Sequence, residues 1–362
     1  MKIGILSMQK ILNYGSFLQA YSLKKQMELL GNDVYFIDIE KGKELDFSNI
    51  EKHKESRFDF IKNRIFSKYV FNKIKHYFFF KNMSDIHVKD YTEYLEVDKS
   101  IGNNEKYDLT IIGSDEVFNC CVPSGWGFSK QLFGDIKNAN HVVTYAASCG
   151  STTYENAVEF GIENELRDAM ANLEHISVRD ENTYKFVKSI TGKEPILHLD
   201  PVFLSDFPEV EVKLPKKPYM LVYAYANRIC DKNEINKIKK YAKKNNLEII
   251  CVGMFQEWCK NCIAANGFEL LQYVKNASCV VTDTFHGTVF SIKYNKRFGV
   301  IVRDSNYNKL YGLLDAFNLT ERLLDKEFDS VLDNEVDFSY ANERIEKYKD
   351  LASQYFKEIT TF

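Results

Sequence analysis

Short apolar runs that stop on a glycine or a polar residue, each followed by a stretch of helical character, recur along this chain. The first covers 3–7 and leads through a loop into a helix expected over 16–30, which Gly31 would stop. Further runs lie at 34–39, 109–113, 141–147, 174–178 and 195–199. The last four of these end in Gly-Ser-Asp, Ser-Cys-Gly, Arg179-Asp180 and Asp200-Pro201. The pattern resumes with strands expected at 219–225, 248–252, 279–282 and 298–302, separated by helices around 231–245, 268–275 and 286–295. Such alternation gives βα units on a parallel sheet, since parallel neighbours need a crossover and the crossover is usually a helix.

Five of the six prolines fall within 195–218. The stretch SDFPEVEVKLPKKP, about 205–218, is polar and broken by proline, so it continues neither a helix nor a central strand. It divides the chain into an N-terminal part, 1–205, and a second part, 219–325, with 206–218 as the linker. The expected fold class is therefore α/β, with two Rossmann-like domains facing a cleft. A length of 362 residues agrees with two domains of ordinary size. The remainder, 326–362, carries Ile345, Tyr348, Leu351, Ala352, Tyr355 and Ile359 at helical spacing, a tail expected to pack back across the junction.

Charge excludes one class of partner. Lysine and arginine number 48 against 51 acidic residues, a net charge of −3, so no overall field favours nucleic acid. The opening MKIGILSMQK has too short an apolar run for a signal peptide, and no window approaches 18 apolar residues. The expected location is the cytoplasm, where the eight cysteines would be reduced thiols. Cys259-Lys-Asn-Cys262 has metal or redox spacing, but no second pair or His pair follows, and it lacks the Pro or Gly context of a redox motif. No metal is expected there. Cys120, Cys121, Cys149, Cys251 and Cys279 read as small core residues.

One segment departs from the rest. Residues 51–82, within an insertion of about 51–100, hold nine Lys/Arg against three Asp/Glu, interleaved with Phe58, Phe60, Phe66, Tyr69, Phe71 and Phe78-Phe79-Phe80. Two readings stand open. The segment is an interfacial element touching anionic head groups at the inner face of the membrane, or a helical pair with aromatics packed on the sheet and lysines in water.

In parallel α/β sheets ligands bind beyond the carboxyl ends of the strands, and the distinctive polar groups sit there. Asn13-Tyr14-Gly15-Ser16-Phe17-Leu18-Gln19 feeds a helix N-terminus whose amides suit an anion, without the GxGxxG dinucleotide spacing. Ser114, Asp115 and Asn119 follow the run at 109–113, with Asp115 read either as a helix N-cap or as a functional carboxylate. Ser148 ends the next run. Arg179 leaves an apolar strand and needs an anion, either Asp180 or Asp200 or a ligand. In Thr282-Asp283-Thr284-Phe285-His286-Gly287 a buried strand gives way to a helix opened by a histidine, the residue best suited to shuttle protons near neutrality. Lys296, Arg303 and Lys309 lie downstream, cations for a phosphate or carboxylate.

The ordered blocks Asn13 to Ala20, Ile112-Gly113-Ser114-Asp115, Tyr145-Ala146-Ala147-Ser148, Ile176-Ser177-Val178-Arg179, Leu199-Asp200-Pro201 and Thr282 to Gly287 resemble the polysaccharide pyruvyl transferase family. The resemblance implies a fold similar to the GT-B glycosyltransferase type and transfer of a pyruvyl group from phosphoenolpyruvate to sugar hydroxyls as a ketal. It implies phosphoenolpyruvate as co-substrate with no further cofactor, and a sugar or lipid-linked oligosaccharide as acceptor. The family's donor-binding Arg and proton-transferring His fall on Arg179 and His286, with Asp115 beside them and Asn13, Gly15, Ser16, Gln19, Ser114, Asn119, Ser148, Asp283, Thr284, Gly287, Lys296, Arg303 and Lys309 as binding candidates. Thr284 and Lys309 stand where members often carry arginine, which exchanges a fork-shaped donor for a hydroxyl and a point charge. Two other readings remain: a GT-B glycosyltransferase using a nucleotide sugar, and a redox or metal module built on Cys259 and Cys262.

Overall fold

The computed structural model describes residues 1–48, 66–99, 105–303, 306–324 and 327–361. Residues 51–65 of the basic aromatic insertion, with Lys62 and Arg64, lie outside the described residues. The first half runs β1 (Lys2–Leu6), α1 (Tyr14–Leu29), β2 (Asp33–Phe36), α2 (Phe66–Asp90), β3 (Tyr107–Ile112), β4 (Ala139–Thr144), α3 (Tyr154–Glu159), α4 (Glu163–Met170), β5 (Ser177–Val178), α5 (Glu181–Thr191) and β6 (Ile196–Leu197). The second runs β7 (Tyr219–Tyr223), α6 (Lys232–Lys244), β8 (Glu248–Val252), β9 (Asn261–Ile263), α7 (Gly267–Asn276), β10 (Cys279–Thr282), α8 (Phe285–Lys293), β11 (Phe298–Val300), α9 (Tyr307–Ala316), α10 (Phe328–Asp333) and α11 (Ser339–Ile359).

Each half forms its own parallel sheet. The first has the order β2-β1-β3-β4, and bridges Val143–His175 and Ala147–Val178 carry it on to the β5–β6 pair. The second has the order β11-β10-β7-β8-β9. In both, the direction of winding reverses once, between β1 and β3 and between β7 and β10. Crevices open at such reversal points, beyond the carboxyl ends of the strands. The expected α/β class with two Rossmann-like domains is thus the observed one, the arrangement of the GT-B type. The sequence pattern missed β9, a three-residue edge strand too short to show alternation.

The helix α1 explains how the halves meet. Twelve of its 16 residues are buried, and only its C-terminal half keeps a solvated side, at Lys25, Glu28 and Leu29, so the rest must be covered on all sides. Phe17 and Tyr21 pack on Phe268 of α7, tilted and edge-on, with ring centroids 5.5 and 5.0 Å apart, and the Tyr14 hydroxyl donates to the Ala265 carbonyl at 2.6 Å. Helix α2 closes the same seam: Asp90 accepts from the Gly267 amide, and Phe79 packs on Phe255 of the second domain. The described part of α2 therefore rests on α1 and the second domain. At the other end, α11 reaches back to the first sheet, where the Tyr355 hydroxyl donates to the Thr144 carbonyl and Phe356 lies 4.6 Å from Tyr145.

Candidate functional site

The two reversal points face each other, and the loops beyond them enclose a cleft of about 960 Å³, within the range of small-molecule sites. Its innermost feature is a carboxylate shared between the domains. Arg179, one residue past β5, donates through Nη1 to Asp200 Oδ2 at 2.7 Å. His286, in the first turn of α8, brings Nε2 to within 3.4 Å of the same oxygen. The side chains of Arg179, Asp200 and His286 are 3%, 1% and 8% exposed, so water does not screen their charges. Burial works against ionising Asp200, but His286, Arg179 and the Val202 amide overrule it and hold the carboxyl well below its usual range. Burial likewise opposes the charge on Arg179, and Asp200 with Asp115 and Asp180 raises its pKa all the same.

Local structure fixes each member. The Arg179 amide bonds the Ala147 carbonyl and extends the sheet by one rung. Asp180 next to it is filled by the Thr183 amide on one oxygen and Ser148 on the other, whereas Asp200 accepts from the Val202 amide on Oδ1 and keeps Oδ2 for Arg179. Thr284 caps α8 by accepting from the Gly287 amide at 2.9 Å, and this aims His286 across the seam. Gly287 allows that turn, since a β-carbon there would stand 2.1 Å from Thr282 Oγ1.

Arg179 retains unused capacity. Its Nε and Nη2 are buried without a hydrogen-bond partner, and Nη2 is 4.0 Å from Asp115 Oδ1. The guanidinium lies 4.3 Å from the Phe285 ring centroid, a face that suits its planar charge. Asp115 sits at φ 73°, a left-handed conformation that aspartate tolerates, and accepts from Ser16 Oγ at 2.6 Å. No helix starts there, so the N-cap reading of Asp115 gives way to a carboxylate facing Arg179.

Around this centre the remaining candidates separate. Lys309 of α9 pairs with Glu116 of the β3 loop, joining the two domains at the cleft wall. Burial would raise the Glu116 pKa, yet Lys309 and Arg179 bring it down to about 2, helped by Asn119, whose amide donates at 2.8 Å. Asp283 is fully buried and accepts from the Tyr225 amide, with Arg228 Nε 3.1 Å away. Burial raises its pKa against the pull of Arg228. Ser148 donates to Asp180 at 2.7 Å. Asn13 caps α1 by accepting from the Gly15 amide. Ser114 donates to Gln19 at 2.6 Å, and both are wholly buried behind the site.

Two expected cations are engaged elsewhere. Arg303 forms a two-pronged pair with Glu234. Lys296 precedes β11 and therefore lies at the amino edge of the second sheet, opposite the cleft, where its ammonium donates to the Lys275 carbonyl at 2.9 Å. Its assignment as an anion-binding residue is corrected on that ground. Sequence reasoning missed Arg228, Arg344 and Tyr348 as cleft residues, and it missed that Glu116 holds Lys309. Glu116 directly follows Asp115, already singled out, whereas Arg344 and Tyr348 come from α11, where Tyr348 showed only as one of the helically spaced tail residues.

A family model described as polysaccharide pyruvyl transferase matches residues 13–305. No curated protein sequence matches the chain. Among solved structures the chain is similar to UDP-GlcNAc 2-epimerase from Neisseria meningitidis bound to UDP-GlcNAc, at 10% identity over 99% of each chain with a TM-score of 0.48. It is similar at the same level to spinosyn forosaminyltransferase, again 10% identity, 99% of each chain and TM-score 0.48. A Thermobaculum terrenum O-GlcNAc transferase mutant is similar at 8% identity and TM-score 0.39, where this chain spans 64% of that chain's length.

Proposed function

The chain belongs to the polysaccharide pyruvyl transferase family, and from that premise we propose that it transfers a pyruvyl group from phosphoenolpyruvate to two hydroxyls of a sugar, forming a cyclic ketal in bacterial-type surface polysaccharide assembly. The observation that carries this reading is Asp200, buried and shared by Arg179 and His286, with two Arg179 nitrogens still unused.

The chemistry asks for an anion clamp and a proton shuttle. Phosphoenolpyruvate carries a phosphate and a carboxylate, and the free Nε and Nη2 of Arg179 form a fork suited to either. Lys309 is a second cation on the same cleft, exchanging Glu116 for a donor oxygen. His286 delivers a proton to C3 of the enol, leaving an oxocarbenium-like C2. The first sugar hydroxyl adds there and loses its proton, phosphate departs with the C–O bond electrons, and the second hydroxyl closes the ring and loses its own. Asp200 orients the imidazole and balances its charge while it holds the proton. Phosphoenolpyruvate and the diol thereby become ketal and inorganic phosphate, and the acceptor is a sugar or a lipid-linked oligosaccharide.

Phosphate release from phosphoenolpyruvate against a panel of galactose-, mannose- and N-acetylhexosamine-terminated acceptors tests the reading. Calorimetric binding of phosphoenolpyruvate supports it. Binding of a nucleoside diphosphate instead, with no phosphate release from any acceptor, overturns it in favour of a glycosyltransferase.

A further inference from the structure

Away from the cleft centre, three thiols converge on the edge of the second sheet. Cys251 lies in the buried part of β8, and its register partner on β9 is Cys262. Residues in register on parallel neighbours project to the same face, so the two thiols stand side by side. The turn between 256 and 262, held by the Cys259 amide on the Gln256 carbonyl at 2.9 Å, returns Cys259 to the same place. The three sulfurs all lie within 4.8 Å of one another.

We propose that Cys251, Cys259 and Cys262 bind a zinc ion as three thiolates. Three sulfurs on a tetrahedral zinc with bonds of about 2.3 Å stand about 3.8 Å apart, so each need shift by less than about 1 Å. An all-sulfur donor set selects a soft ion over magnesium or calcium. Little is lost on deprotonation, because the thiol hydrogen bonds are long ones: Cys259 to the Ile249 carbonyl at 3.6 Å and Cys262 to the Gln256 carbonyl at 3.6 Å. Cys259 and Cys262 are partly exposed, which leaves a side from which water completes the tetrahedron.

The ion would tie down the base of the β8–β9 connection. That connection sends Phe255 onto His76 and Phe79 of α2, and Gln256 onto the carbonyls of Ala224 and Tyr225 at the cleft wall. The CxxC spacing was legible in the sequence. The third ligand was not, because only the parallel register sets Cys251 beside Cys262.

The test uses the full chain, purified under reductant, stripped with chelator and titrated with zinc or cobalt(II). About one equivalent should bind, cobalt should show thiolate charge-transfer absorption, and the melting temperature should climb with zinc concentration. Cys251→Ser, Cys259→Ser and Cys262→Ser should each abolish these signals. The latter two change partly exposed positions and keep the test decisive should Cys251→Ser fail to fold. Binding below about a tenth of an equivalent by the reduced wild-type chain overturns the proposal. So does zinc binding unchanged in all three variants, or a disulfide among the three that persists when the chain is isolated with zinc.

Discussion

Gly15 lies directly beneath the imidazole of His286, so that a β-carbon on it would stand 1.9 Å from Nδ1. One residue belongs to the first helix of the N-terminal domain and the other to the helix that opens after β10. The domain seam therefore runs through the proposed proton shuttle. Any side chain at 15 must displace the ring from its present position beside Asp200. Gly15→Ala is expected to lower kcat about 100-fold, a cost typical of misplacing a catalytic group by about 1 Å. Phosphoenolpyruvate affinity should hold, while overpacking the buried ring should lower the melting temperature, a cost of about 1–3 kcal/mol. His286→Ala sets the reference, with a loss of about 10²–10⁴-fold. Near wild-type phosphate release from folded Gly15→Ala would separate His286 from the chemistry.

Arg179 combines a structural and a binding role, and two substitutions pull them apart. Arg179→Ala leaves Asp200 charged and buried without its main partner, a loss of about 3–5 kcal/mol in urea denaturation. Arg179→Lys can restore the contact with Asp200 but not the fork of Nε and Nη2. It is expected to regain much of the stability while donor binding, read by calorimetry, stays at least about tenfold weaker. Donor affinity equal to wild type in Arg179→Lys would remove Arg179 from the anion site.

The strands were legible because their apolar runs are short and end on Gly, Asp or Arg; 248–252 and 279–282 are strands over those same residues. The helix 339–359 was likewise readable from its spacing. Within the site, Arg179 and His286 announced themselves by chemistry that an apolar strand end cannot otherwise satisfy. The partner of Arg179 was narrowed to Asp180 or Asp200, and occupancy decided it: both aspartates cap the turn that follows, but Ser148 takes the second oxygen of Asp180 while Asp200 keeps Oδ2 for Arg179. Lys296 misled because its charge drew attention although it precedes the strand at 298–300 and so falls at the amino edge, away from the carboxyl ends where ligands gather. The pairing of Glu116 with Lys309 joins residues 193 positions apart, and no local pattern encodes such a contact.

That pairing makes a prediction about acid. Folding lowers the Glu116 pKa to about 2, against about 4.3 for an unfolded glutamate. A depressed carboxylate contributes stability that is present above the unfolded value and lost as pH falls through the folded one. The contribution should thus disappear between about pH 4.3 and pH 2. Asp200, also depressed, loses its share as pH falls below its own unfolded value of about 3.9. Glu116→Gln should melt lower than wild type at neutral pH, and the two curves should converge as pH drops. Scanning calorimetry from pH 7 downward reads this directly, and parallel curves would show that Glu116 and Lys309 contribute nothing to the closed seam.

The last prediction concerns the outer face of α2. Its inward positions, His76, Phe79, Met83 and Asp90, recur at helical spacing and pack on the second domain and α1. Its solvent side carries Tyr77, Phe78 and Phe80 at 64%, 64% and 54% exposure, with Lys75 and Lys81 exposed beside them. Large aromatics left in water next to cations suit a bilayer boundary, where rings enter the interface and lysines meet anionic head groups. We propose that this face holds the enzyme against a membrane that presents a lipid-linked acceptor. Each lysine or arginine near such a surface contributes about 1 kcal/mol, lost as salt screens it. Binding to phosphatidylglycerol-containing vesicles at low ionic strength is therefore expected, weakening with added salt. Replacing Phe78 and Phe80 with serine, or Lys62, Arg64, Lys68, Lys73 and Lys75 together with glutamine, should abolish it while activity on a soluble acceptor remains. Co-sedimentation decides the matter: a wild-type chain that stays in the supernatant at low salt makes this face a solvated helix surface and nothing more.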